Sequence, residues 1–210
     1  MQPDRNTRYL WTDVQNFDGD QRWELIDGYP FAMSSPLTVH QVISMQLTAS
    51  LFALLRGGPC RLLAAPMNVK LSERDLVQPD LLVVCDPAQL QRTHIDGPPR
   101  LVIEILSDSS LRHDRVRKMN LYARAGVSEY WIVTPHLPMV EVFSNQSGHF
   151  VVAGSYTDSD TLRSPAFPEW ALELAPVFEN LPPQPLIDEV KEATPEYMAE
   201  MFARLQAAPN

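Results

Sequence analysis

Two carboxylates stand where buried strands should carry none. The segments VQPDLLVV (77–84) and RLVIEILS (100–107) are nearly continuous apolar runs, each broken by one acid, Asp80 and Glu104. Such runs are expected of strands covered on both faces. Side chains alternate along a strand, so Asp80 shares a face with Leu82 and Val84, and Glu104 with Val102 and Leu106. A carboxylate carried into an apolar layer must be neutralised, ion-paired, bonded to backbone donors at a strand end, or bound to a metal. Two carboxylates from neighbouring strands offer hard oxygens. Mg²⁺ takes one or two such ligands and fills its remaining positions with water and phosphate oxygens. Asp80 follows Pro79 and reads equally well as the acid of a turn or strand start. Glu104 sits mid-strand with no base near it in sequence; its plain alternative is a salt-bridged core acid.

The next segment, DSSLRHDRVRKMNLYARAG, reverses the sign of the chain. Between 111 and 125 it carries Arg112, Arg115, Arg117, Lys118 and Arg124 against Asp114 alone. Asp114 and Lys118 are four apart and share a helix face. Two placements are open for Lys118. One is a surface ion pair with Asp114, worth a few tenths of a kcal/mol. The other points the ammonium back at Glu104, where it would orient a water or offset charge on a phosphoryl group. Glu24, in WELIDG, reads as a hairpin surface acid when taken alone. His40, in the first turn of a helix, and His113, beside Asp114, read as hydrogen-bonded structural histidines.

The elements that position these residues follow from periodicity and punctuation. Residues 9–17 suit a short opening helix. Asp27-Gly28 between two partly apolar runs signals a hairpin. Val39, Val42, Ile43, Leu47, Leu51, Leu54 and Leu55 recur at helical spacing, predicting a helix over 39–55. Thr38 and Gln41 suggest a capping box for it, and Gly57-Gly58-Pro59 ends it. Strands are expected near 60–64, 67–71, 80–85 and 101–106, then a helix over 110–125 stopped by Gly126. A buried strand (129–133) and an antiparallel pair (140–143 and 149–156) follow. Helices mixed with strands in this order predict an α/β or α+β fold built on a mixed sheet. The main domain is expected over 1–180. Residues 181–210 read as a proline-rich connector and a helical tail, with Thr194, Pro195 and an apolar stripe of Tyr197, Met198, Met201, Phe202 and Leu205.

Composition narrows the function classes. The chain has 210 residues with 45% hydrophobic content, enough to bury a core. Its formal charge is −9, so a global basic field for gripping nucleic acid is absent and any such grip must be local. Cys60 and Cys85 lie in apolar surroundings without metal-type spacing and read as buried free thiols of a reducing compartment. No apolar run is long enough to suggest a membrane span, and no P-loop or dinucleotide fingerprint occurs. A cytoplasmic protein without a membrane or nucleotide-cofactor association is expected.

The ordered set of WELIDG, S-P to His40, QPDLLVV, LVIEILS, D-x-x-x-K-x-x-x-Y (Asp114, Lys118, Tyr122) and AGVSEYWIV resembles the Uma-type restriction endonuclease family, a branch of the PD-(D/E)XK nuclease superfamily. The resemblance covers about residues 10–178 and implies a restriction-endonuclease-like core. It also implies Mg²⁺-dependent hydrolysis of DNA, with Mn²⁺ as substitute, by a dimeric enzyme. Asp80 matches the first acid of the superfamily pattern, Glu104 the second, and Glu24 the upstream acid that completes such metal sites. Leu106 stands where the pattern has its lysine, which makes Lys118 the implied replacement. Asp114, His40 and Tyr122 are implied as supporting residues. Arg112, Arg115 and Arg117 are candidates for phosphate contacts, a sequence-independent contribution. The alternative is a catalytically inactive nucleic-acid-binding or regulatory module on the same fold.

Overall fold

A computed structural model of the chain describes residues 1–107 and 113–182. A 3-10 turn at Trp11–Asn16 leads into β1 (Trp23–Ile26) and β2 (Tyr29–Ala32), followed by α1 (Thr38–Leu55). Then come β3 (Arg61–Ala64), β4 (Val69–Ser72), β5 (Asp75–Val77), β6 (Leu81–Val84), β7 (Ile95–Asp96) and β8 (Leu101–Ile105). A π-helical turn, His113–Lys118, runs directly into α2 (Met119–Ala125). The chain continues through β9 (Glu129–Thr134), β10 (Met139–Gln146), β11 (His149–Thr157), β12 (Thr161–Leu162), β13 (Leu172–Glu173) and α3 (Ala175–Phe178).

The expected single mixed sheet is two sheets plus a small ribbon. The larger has the order β11-β10-β9-β8-β6-β3, the smaller β2-β1-β5-β4-β7, and β12 pairs with β13. Within the larger sheet β8 and β9 run parallel while β6 pairs antiparallel with β8. The fold is α+β, as the mixture of elements predicts. The expected strand at 67–71 appears as β4, but in the smaller sheet, and the very short β5 and β7 complete that sheet.

Alternation sorts the core into two layers. Leu81, Val83, Leu101, Ile103, Ile105, Trp131 and Val133 project toward α1, whose Val39, Ile43, Leu47 and Leu51 repeat every four residues and are all buried. Leu82, Val84, Val102, Leu106 and Ile132 project the other way, against Ile26, Val69 and Val77 of the smaller sheet and Leu121 and Tyr122 of α2. The two carboxylate-bearing segments are thus covered on both faces, as their composition requires.

Local signals fare unevenly. The hairpin at Asp27-Gly28 forms, with φ of 54° and 83°, the pair of positive values that a type I′ turn needs. Gly126 closes α2 at φ 93°, and Val127 N–H donates to Tyr122 O across the cap. The capping box does not form. Helix α1 begins one residue early, with Leu37 at the cap and no side-chain cap bond, so Thr38 is already inside the helix. The free-thiol expectation is also overturned. Arg61 pairs with Val84 across β3 and β6, which brings the flanking Cys60 and Cys85 face to face, and their sulfurs are bonded. The tail helix expected beyond 194 and the start of the helix expected from 110 lie outside the described residues.

Candidate active site

The site lies in the seam between the two sheets. Glu24 and Ile26 point from β1 into the layer filled by Val102 of β8 and by Leu106 just past its end, and Glu104 points into it from between those two. The π-helical turn and α2 close the seam and deliver Asp114, Lys118 and Tyr122. Glu24 and Glu104 are each 2% exposed, Asp114 3% and Lys118 4%, so the surface ion-pair placement of Lys118 does not occur.

Lys118 is the hub. Its Nζ lies 3.0 Å from Glu24 Oε1, 3.0 Å from Glu104 Oε1 and 3.5 Å from Asp114 Oδ1. Tyr122 O–H donates to the same Glu104 Oε1 at 2.7 Å, and the Tyr122 ring meets Tyr130 edge-on at 5.3 Å. Glu24 is held at both oxygens: Gln78 N–H donates to Oε1 at 2.9 Å, and His113 Nε2 lies 3.2 Å from Oε2. Asp80 stands just ahead of β6. Its Oδ2 accepts the N–H of Ile105 at 2.8 Å and lies 3.0 Å from His40 Nε2. The Asp80 carboxylate therefore sits one residue along the β8 backbone from Glu104. His40 Nδ1 is buried and without a hydrogen-bond partner.

Burial sets the electrostatics. It pushes the Glu104 carboxyl well above the usual carboxylate range; Lys118 opposes this, and the negative neighbours Asp114, Asp80 and Glu24 reinforce it. Burial also works against charge on Lys118, but Glu104, Glu24 and Asp114 outweigh it and hold the ammonium well above its ordinary value. For Glu24, burial raises the carboxyl, yet Lys118, His113 and the Gln78 amide together bring it down to about 2. One cation thus serves four nearby carboxylates, and the cluster carries an excess of negative character.

Two carboxylate oxygens of this cluster are of the kind a divalent metal takes. Among the described residues, no hydrogen bond is made to Asp80 Oδ1 or Glu104 Oε2, while their other oxygens are engaged. These are hard carboxylate oxygens, the type Mg²⁺ selects. Glu24, expected as a third ligand, uses both oxygens on protein donors. Among the described residues no set of three or more Asp, Glu, His or Cys side chains converges on one ion position.

The basic face is less uniform than its composition suggests. Arg115 is ion-paired with Glu141, and the Arg117 guanidinium lies over the Phe31 ring, 4.9 Å from its centroid, while remaining exposed. Arg112 lies outside the described residues. Sequence reasoning missed the Gln78 amide, and read His113 as a hydrogen-bonded structural histidine without naming its partner, Glu24. The signal for Gln78 was its place two residues before Asp80; for His113 it was adjacency to Asp114.

A mixed sheet with β8 and β9 parallel, flanked by helices and carrying Glu104 in β8 and Asp80 just ahead of β6 near a buried lysine, has the form of a nuclease-like α+β protein. The sequence profile of the Uma2 family, described as "Putative restriction endonuclease", matches residues 9–175, and the chain belongs to this family. It is 29% identical over 145 residues to an uncharacterized protein of Synechocystis sp., covering 68% of this chain and 76% of that relative. Its fold is similar to the crystal structure of a "putative nuclease" of the DUF820 group from Anabaena variabilis. That likeness has a TM-score of 0.65 at 16% identity and covers 80% of this chain and 97% of the other.

Proposed function

We propose that this protein is a Mg²⁺-dependent endonuclease that hydrolyses DNA phosphodiester bonds. The observation that carries the reading is the pairing of Asp80 and Glu104. Each retains one carboxylate oxygen; Glu104 is ion-paired with the buried Lys118 ammonium, and Asp80 is bonded to the backbone N–H of the residue after Glu104, Ile105. Asp80 and Glu104 would hold the metal, with Mn²⁺ as substitute. Bound there, a divalent ion supplies a water of lowered pKa and polarises the phosphate. The protein's own groups do the rest. Ile105 N–H and His40 fix the Asp80 carboxylate, and Tyr122 fixes Glu104. Lys118 keeps its proton and supplies positive charge close to where negative charge develops on the phosphoryl group. Glu24 and Asp114 act through Lys118 by setting its position. Arg117, exposed and adjacent in sequence to Lys118, would contact the DNA backbone.

The test combines metal binding with cleavage. Mn²⁺ should raise the melting temperature of the parent, and the rise should shrink in Asp80→Ala. The parent should nick supercoiled plasmid in Mg²⁺, and Glu104→Ala should not. Cleavage by Glu104→Ala at the parental rate would sink the assignment. Metal stabilisation of a parent that leaves DNA intact would identify a binding module on the same fold.

A further inference from the structure

Helix α1 has an outer face that nothing described covers. Its 18 residues, TVHQVISMQLTASLFALL, contain no Asp, Glu, Lys or Arg, which make up 20% of the chain. Val39, Ile43, Leu47 and Leu51 face the sheet, while Met45 is 66% exposed and Phe52 64%, with the exposed Ala49 between them. These three are spaced at i, i+4 and i+7 and form a single stripe opposite the core. A helix lying on a sheet normally turns charged side chains to water along that line, and a helix apolar on both sides is expected to be covered on both.

We propose that the C-terminal segment of this same chain, residues 195–205, packs on the outer stripe of α1. The described chain ends in the right place. Helix α3 packs beside α1, Gln46 Nε2 donates to Glu179 O at 2.9 Å, and Leu181 packs against the core under α1. Glu179 is thus bonded to the residue next to Met45, and the described chain ends three residues later, at Pro182. Residues 183–194 can span up to about 40 Å, and α1 is only about 27 Å long. The sequence of the segment fits the surface it would meet. Tyr197, Met198, Met201, Phe202 and Leu205 recur at helical spacing, while Glu196 and Glu200 fall outside that stripe. Tethering makes the encounter intramolecular, which favours it over a second copy at dilute concentration.

A spin label and NMR test this on the full chain. The native cysteines are bonded to each other, so Met201→Cys adds the one free thiol for a nitroxide. Docking broadens the Met45 and Phe52 amide signals within the labelled chain, at monomer mass, and the broadening persists on dilution. Phe52→Asp, at an exposed position that leaves the core untouched, should abolish the broadening of Met45 while the helical circular dichroism is retained. Sharp Met45 and Phe52 signals in the labelled parent would overturn the proposal. So would broadening that appears only when spin-labelled and isotope-labelled chains are mixed, which would assign the face to a second copy.

Discussion

Lys118 Nζ lies 3.0 Å from Glu24 Oε1, and this contact joins the helical turn before α2 to the first strand of the smaller sheet. Both side chains are almost wholly buried, so each depends on the other for its charge.

Removing the ammonium while leaving its acids should be costly. Lys118→Met strands Glu24, Glu104 and Asp114 in the seam, and breaking a buried pair from one side costs about 3–5 kcal/mol. Urea unfolding should show the midpoint falling with little change in slope. An unfolding free energy within about 1 kcal/mol of the parent would mean that another group balances the acids.

Glu24 gives a pH signature with a definite sign. Its folded value, about 2, lies below the ordinary 4.5, so the ionised form is the one that folding stabilises. That stabilisation is complete above about pH 4.5 and is lost as pH falls through about 2. The interval is equivalent to about 3 kcal/mol. The stability gap between parent and Glu24→Gln, followed by chemical denaturation from pH 6 to pH 2, should therefore narrow on acidification. A gap that stays constant would contradict it.

Tyr122→Phe removes one donor to Glu104 Oε1 without changing the ring that packs on Tyr130. A hydrogen bond is worth about 0.5–1.5 kcal/mol to a neutral acceptor and about 1.5–3 kcal/mol to a charged one, and burial favours the neutral form of Glu104, so the loss should lie between about 0.5 and 3 kcal/mol. The near-ultraviolet circular dichroism should remain that of the parent. A neutral substitution would show that Glu104 is held by Lys118 alone.

Two hairpin glycines separate backbone strain from crowding. Gly28 (φ 83°) and Gly148 (φ 87°) both need the left-handed conformation, so alanine at either should cost about 1 kcal/mol. At Gly148 an added methyl meets nothing within 4 Å, whereas at Gly28 it meets Tyr9 O at 3.1 Å and Arg8 Cβ at 3.2 Å. Thermal unfolding should therefore rank Gly28→Ala below Gly148→Ala. Equal losses would mean that the N-terminal residues yield freely.

The legible part of this molecule is the part where one local rule acts alone. Strand alternation put Glu104 on the face of Val102 and Leu106, and that is where it points. The Asp27-Gly28 turn and the Gly126 cap depend on φ alone and were readable for that reason. The burial of Lys118 was not readable, because a helix rich in Arg and Lys is as consistent with a solvated face, and only the smaller sheet closing over it decides otherwise. The second sheet was hidden because β5 and β7 have three and two residues, too few to display a period. The disulfide depends on the β3–β6 register, which residue types do not encode.

The seam has one further consequence. Glu24 belongs to the smaller sheet and Glu104 to the larger, Asp80 stands just ahead of β6, and Lys118 ties Glu24 to Glu104. Anything that binds among these groups is thermodynamically linked to the closure of one sheet on the other. Occupancy of the site becomes a control on how often the two halves part. Exchange of the buried amides of β5 and β8 with solvent should then slow as a ligand is titrated in, at positions the ligand never touches.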